Sequence, residues 1–362
     1  MEHNRIYNFS AGPSMMPLEV LEEAQRDLLN YGGTGTSVME MSHRSPAFEE
    51  IITETKETLK RIMHVSDDYE ILFMQGGATT QFSALAMNLA AQGDTMAYSV
   101  TGQFAGKAQE EGARWGNAVI IASSKPDKYT YIPKLTPDMI PQGSKFLHIT
   151  GNNTIFGTCY NTLPETGGID LVADWSSAIL GKDIDVAKHA LIYAGAQKNM
   201  GPAGMAVVLI RKDLLDREVD KTVPIMLRYK VAADNNSMYN TPPTFSIYIA
   251  GLMYKWVEKM GGVEAMEAIN REKSGMLYEY IDNSAVFNNP VAKEDRSIMN
   301  VIFTLPTQDD TDAFLKLAKS KGLINLKGHR IAGGCRASMY NGMPVEGTKL
   351  LIETMKEFEV AL

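Results

Sequence analysis

From residue 69 to residue 210 the chain alternates short apolar runs with helical segments, and most of those runs stop at glycine or a small polar residue. The runs predict buried strands over 69–74, 95–100, 119–122, 145–150, 169–173, 190–193 and 205–210. The segments between them predict helices over 81–91 and 103–114. Such alternation restricts the fold to an α/β class, with an open, mostly parallel sheet flanked by helices. Sheets of that kind gather their ligands at the strand ends.

The strand ends carry the chemistry. The strand over 69–74 runs into Gln75-Gly76-Gly77-Ala78-Thr79-Thr80, where successive N–H groups can converge on an anion with help from the following helix dipole. This turn is neither a GxGxxG nor a Walker loop, so a nucleotide-dependent oxidoreductase lacks its fingerprint. The strand over 145–150 opens into a polar loop with Asn152, Asn153 and Thr154, and the strand over 169–173 ends in Asp174, Trp175, Ser176 and Ser177. Lys198 follows the strand over 190–193, in a turn with Asn199, Gly201, Pro202 and Gly204. Each feature alone has a plainer reading: a solvated loop charge for Lys198, a cap for Asp174. Together they match a pyridoxal phosphate site, with an acid for the pyridinium nitrogen, a lysine for the Schiff base and a phosphate cradle.

The 362 residues exceed the usual size of one domain. Beyond 210 the rhythm changes. Residues 224–240 read as polar and irregular, and Thr241-Pro242-Pro243-Thr244 opens a long helix to about 259 that Gly261-Gly262 breaks. A second helix runs to about 282. A strand over 300–305, a helix over 311–321, a strand over 331–338 and a helix from 345 follow, which predicts a smaller α/β domain. The boundary falls near 255–265, dividing a large domain of 16–258 from a small one of 1–15 and 259–362.

A net charge of −8 without any Lys/Arg run argues against nucleic acid as a partner. No apolar stretch reaches membrane-spanning length, and the opening MEHNRIYNFSAGP lacks an apolar signal core, which predicts a cytoplasmic protein. Cys159 and Cys335 lie far apart and the six histidines are scattered, so no metal site is expected. Both cysteines read as small buried hydrophobes.

Taken in order, NFSAGP, GGTGTSVMEMSHRS, GGATTQF, ADWSS, YAGAQKNMGPAG, MYNTPPTFSIY and KGHRIAGGCRASMYNGMP strongly resemble the phosphoserine aminotransferases, a family of class V aminotransferases. The resemblance runs from about Asn8 to the C-terminus. It implies the fold-type I, aspartate aminotransferase-like architecture, pyridoxal 5'-phosphate as cofactor, and a homodimer with shared active sites. It further implies transfer of the amino group of glutamate to 3-phosphohydroxypyruvate, giving phosphoserine on the route to serine.

Carried over by position, Lys198 is similar to the Schiff-base lysine and proton shuttle, and Asp174 to the pyridinium partner. Phe104 is similar to the aromatic stacked on the ring, and Thr154 to a contact of the cofactor's phenolate oxygen. Gly77, Ala78, Thr79, Ser176 and Gln197 resemble cofactor contacts, with Asn240 and Thr241 reaching across from the other subunit. Arg336 resembles the α-carboxylate clamp. His43, Arg44, His329 and Arg330 resemble the distal anion pocket, some of them crossing the dimer interface, and Ser10 an added hydrogen bond to substrate. Where this chain has Thr79 some relatives carry arginine, which removes one possible phosphate contact. The alternatives are another class V transaminase, such as a serine–glyoxylate type, or a non-catalytic protein that binds pyridoxal phosphate or a phosphometabolite.

Overall fold

The computed structural model describes residues 4–362. At its centre is a seven-stranded sheet of β1 (Tyr69–Gln75), β2 (Thr95–Val100), β3 (Asn117–Ser123), β4 (Leu147–Thr150), β5 (Leu171–Asp174), β6 (Leu191–Gly195) and β7 (Met205–Arg211). Their spatial order is β1-β7-β6-β5-β4-β2-β3. All neighbours from β6 to β3 pair in parallel, whereas β7 is antiparallel to both β1 and β6. Connection length explains the reversal. The loop over 196–204 that joins β6 to β7 is too short for the crossover that a parallel pair requires. Lys198 lies in that loop.

Helices cover both faces, so the central strands are apolar throughout rather than alternating with polar residues. Val172, Leu191, Tyr193 and Val208 pack toward the face covered by α3 (Gly77–Leu89) and α4 (Gln103–Ala113). Ala173, Ile192, Ala194, Val207 and Leu209 pack toward α1 (Leu18–Asp27), α2 (Pro46–Ile62) and α5 (Thr244–Lys259). A third core joins α6 (Gly262–Asn283), β8 (Asn300–Phe303), α7 (Gln308–Ser320), β9 (Cys335–Ser338) and α8 (Val345–Ala361). Phe287 and Phe314 meet there edge to face at 5.2 Å. The N-terminal segment contributes Phe9 to this core and pairs Tyr7–Asn8 in parallel with Leu323–Ile324.

Several elements differ from their expected bounds. The helix expected over 81–91 begins at Gly77, because Gly76 takes a left-handed conformation (φ +91) and turns the strand directly into the helix. A Cβ there would lie 2.0 Å from Thr80 Oγ1, so only glycine is accommodated. The strand expected over 331–338 begins only at Cys335, since Gly333 and Gly334 bend the chain at φ +71 and +56. A Cβ on Gly334 would approach Phe303 O to 2.6 Å, so glycine is what lets β9 reach β8. Residues 224–240 are more ordered than their polarity suggested: they hold a helix, Tyr229–Asp234, whose Tyr229 is buried and donates to Gln81 Oε1 at 2.9 Å. The helix expected over 311–321 starts at Gln308, behind a capping box of Thr307 and Asp310. Among the described residues, no helix is long and apolar enough to cross a membrane.

Candidate active site

The C-terminal ends of β5 and β6, the loop after β4 and the start of α3 enclose one cleft. At its floor Asp174 is 5% exposed, and its Oδ1 accepts hydrogen bonds from Ser176 N (2.9 Å) and Ser176 Oγ (2.6 Å). Ser176 Oγ in turn accepts from Gly195 N at 2.9 Å, which ties the acid to the end of β6. Both side-chain hydrogen bonds fall on Oδ1, so Oδ2 keeps its acceptor capacity. Burial raises the Asp174 carboxyl above the ordinary carboxylate range, opposed by the Lys198 charge and the Ser176 hydrogen bonds.

Lys198 projects into the same cleft. Its Nζ donates to Thr154 Oγ1 at 2.8 Å and lies 5.5 Å from the centre of the Phe104 ring. Burial lowers this amine to about 8, with Asp174 opposing the shift and Arg336 adding to it. The loop around it is held from the N-terminal segment: Ser14 N donates to Gln197 O at 3.0 Å, and Ser14 Oγ donates to Lys198 O. A Cβ on Gly12 would stand 3.2 Å from Gln197 Cγ and 3.5 Å from Lys198 Cγ, so that segment forms a wall of the cleft.

The start of α3 closes another side. A Cβ on Gly195 would meet Gln197 Oε1 at 2.7 Å and the Ala78 methyl at 3.3 Å, which sets Gly77-Ala78-Thr79 beside Gln197. The first turn of a helix leaves its N–H groups without intrahelical partners, and these groups favour an anion.

Arg336, on β9, reaches in from the third core. Its Nη1 donates to Thr154 O at 3.4 Å, while its Nε is buried without a partner. An unpaired buried guanidinium nitrogen is costly unless a ligand meets it. His329 lies near Arg336, Arg330 and Lys107; burial first, then those three charges, lower its pKa. Lys107, one turn along α4 from Phe104, stands 5.9 Å from the Phe104 ring centre. It was missed in the sequence, where its helical spacing from the aromatic was the one available signal.

Other expected residues stand apart. Ser10 is in the N-terminal segment, where its N donates to Asn8 Oδ1 at 3.0 Å and its Oγ accepts from Gly12 N at 3.4 Å. Asn240 and Thr241 are exposed and are held by Gln75, whose Nε2 donates to Asn240 Oδ1 (3.2 Å) and Thr241 O (3.1 Å). Arg44 is exposed and His43 partly so, in the loop before α2; among the described residues no hydrogen bond or ion pair joins either side chain to Lys198 or Arg336. Cys159 and Cys335 are buried, and burial raises their thiols to about 11 and about 12. Inert thiols of that kind do not suit a sulfur-transferring relative of this site.

The residues present fit pyridoxal phosphate: a buried carboxylate with a spare oxygen, a recessed amine beside a flat aromatic face, and a helix N-terminus for phosphate. The profile of the family described as Aminotransferase class-V matches residues 6–351. A phosphoserine aminotransferase from Geobacillus kaustophilus is 52% identical over 355 residues, which cover 98% of each chain. A solved structure of phosphoserine aminotransferase from Bacillus circulans subsp. alkalophilus superposes with a TM-score of 0.95 at 41% identity, covering 99% of each chain. One described as PLP-bound phosphoserine aminotransferase, from Trichomonas vaginalis, superposes with a TM-score of 0.93 at 38% identity, covering 97% of this chain and 100% of that one.

Proposed function

The chain belongs to the class V aminotransferases, and on that premise we propose that it works as a phosphoserine transaminase. It moves an amino group from L-glutamate to 3-phosphohydroxypyruvate, giving O-phospho-L-serine and 2-oxoglutarate, a step of L-serine formation. The observation that carries this reading is Lys198: a recessed amine held by Thr154, beside Phe104 and electrostatically coupled to Asp174, in a chain half identical to a phosphoserine aminotransferase.

Bound pyridoxal phosphate supplies a carrier for the amino group and an electron sink for the carbon that loses its proton. The protein's own residues do the rest. Asp174, oriented by Ser176, would accept a hydrogen bond from the ring nitrogen and keep that nitrogen protonated. Phe104 would cover one ring face, and Thr154 would meet the ring oxygen. The N–H groups of Gly77, Ala78 and Thr79, with Gln197, would hold the cofactor phosphate. Lys198 Nζ, whose burial already lowers it to about 8 in the cofactor-free chain, would take the substrate's α-proton and pass it to the carrier rather than back to the same carbon. Arg336 receives the α-carboxylate through its fork, using the nitrogen that lacks a partner in the protein.

The distal phosphate is bound by His329, Arg330 and Lys107 from this chain, and by His43 and Arg44 from a second copy. Asn240 and Thr241 reach the neighbouring cofactor in the same way, so the enzyme works as a homodimer. Exposed Ile225, Met226 and Tyr239 beside Asn240 support that interface. Residues 16–258 form the cofactor domain; 1–15 and 259–362 form the small domain, and Ser10 adds a substrate contact from it. Two unpaired thiols support a cytoplasmic enzyme.

The test is a half-reaction. The loaded enzyme is mixed separately with phosphoserine, serine and alanine while the lysine-bound cofactor absorbance is followed. Rapid loss with phosphoserine alone is expected. Equal rates with serine or alanine would remove the phosphate specificity but leave the transaminase.

A further inference from the structure

A second lysine is buried where the reaction gives it no direct task. Lys273, on α6, is 0% exposed, and its ammonium donates to three backbone carbonyls: Met339 O (3.2 Å), Tyr340 O (3.0 Å) and Met343 O (2.9 Å). The three protons meet three acceptors, and among the described residues no carboxylate pairs with it. Burying an ammonium without an acid is unfavourable, and a methionine of similar length would pack there without that penalty. What the lysine does and methionine cannot is tie three carbonyls of an irregular turn to one point on α6; Tyr340 O also accepts from Met343 N at 2.9 Å, within the turn itself.

That turn joins the two halves of the cleft. It follows directly from β9, which carries Arg336. From it Asn341 N donates to Asn199 Oδ1 at 2.9 Å, one residue after Lys198, and Asn341 Nδ2 donates to Leu180 O at 2.7 Å. Tyr340 OH donates to Ala11 O at 3.0 Å, next to the glycine that walls the Lys198 side chain. Asn270, one helical turn before Lys273 on α6, donates to Asn341 Oδ1 at 2.9 Å. So α6 grips the turn with one charged and one amide side chain, and the turn grips the Lys198 loop.

We propose that Lys273 is a positioning residue for transamination: its ammonium sets the 339–343 turn, which registers the Arg336 strand against the Lys198 loop. The distance between the bound α-carboxylate and the base that takes the α-proton depends on that register. This inference rests on the roles given to Arg336 and Lys198 above.

The experiment compares wild type, Lys273→Met, Arg336→Lys and the double variant as cofactor-loaded enzymes, well below their melting temperatures. For Lys273→Met the cofactor absorbance is expected to stay unchanged, while kcat/KM for both phosphoserine and glutamate falls roughly tenfold to a hundredfold, mainly through KM. In the Arg336→Lys background the same change is expected to add little, because the register it sets serves a clamp already lost. A lower melting temperature with kcat and KM each within about twofold of wild type would overturn the proposal, as would losses that simply multiply. Should Lys273→Met fail to fold, Asn341→Ala cuts the same connection nearer the cleft. It is expected to raise KM in the same way, and an unchanged KM would overturn the proposal. Arg336→Lys alone with an unchanged KM would instead fault the assignment of Arg336, which separates the two failures.

Discussion

At the floor of the cleft Asp174, Ser176, Thr154 and Lys198 are tied to one another or to strand backbone, whereas among the described residues no hydrogen bond or ion pair joins the His43 or Arg44 side chain, at the rim, to Lys198 or Arg336. The contrast follows from how each is carried. The floor residues sit at strand ends that the sheet ladder holds within one polypeptide, so hydrogen bonding fixes them before any ligand arrives. His43 and Arg44 sit on a long glycine-rich loop, with Arg44 exposed, and in the proposed homodimer a second copy would present them to a phosphate. On this reading one chain builds the machinery for proton transfer, and two chains build the selectivity for a phosphorylated substrate.

The largest effect belongs to the floor. Lys198→Ala should lower turnover by at least roughly 10³-fold, since it removes both the attachment point and the base. Sedimentation and circular dichroism should still report a folded dimer, because the Lys198 side chain makes one hydrogen bond and carries little of the core. Steady turnover near the wild-type rate by that variant would break the assignment.

A smaller, selective loss is expected at the rim. Arg44→Ala should reduce kcat/KM for phosphoserine by about 10–100-fold, the size of one lost charge-assisted hydrogen bond of about 1.5–3 kcal/mol, and should leave alanine nearly unaffected. Mixed dimers of Arg44→Ala with Lys198→Ala chains sharpen the point. One of the two sites then has an intact lysine facing an intact Arg44 across the interface, and activity toward phosphoserine should return in part. Equal losses for phosphoserine and alanine, or no recovery in the mixed dimer, would place Arg44 outside the distal pocket.

The smallest effect is in pH and stability, and it returns to the floor. In the cofactor-free chain the Lys198 amine titrates near 8, against 10.5 when unfolded, so between those values the unfolded chain binds more protons. The contribution of this group to stability should therefore rise with pH from about 8 to 9.5, by at most about 1.4 kcal/mol per pH unit, while the two buried thiols act in the opposite direction above about 9. Urea midpoints across that range would measure the slope, and Lys198→Met should flatten it. A slope that Lys198→Met leaves unchanged would contradict the burial of this amine.

Much of this was legible in the chain itself. Apolar runs ending in Gly, Asp or Thr marked the strands and the side of the sheet that binds ligand, because a doubly covered strand must be apolar and its last residue need not be. Lys198, Asp174 and the glycine turn could be paired from order alone, since each follows directly from a strand. Residues whose roles depend on distant partners were not legible in the same way. Lys107 reads as an ordinary helix charge until the fold brings His329 and Arg330 toward it. Lys273 reads as one more charge on a surface helix until the turn after β9 offers it three carbonyls. The glycine bend before β9 is likewise a tertiary decision, whereas the antiparallel turn of β7 was implicit in the shortness of the 196–204 connection. Period, composition and loop length record which faces are buried and how neighbouring strands run, but close backbone approach is settled only by the fold. By itself, then, the sequence determined the sheet, its chemistry and the residues at its strand ends, all of which follow from local pattern. Only the tertiary structure decided which distant side chains meet those elements, because a buried charge such as Lys273 is stable only where the fold supplies its acceptors.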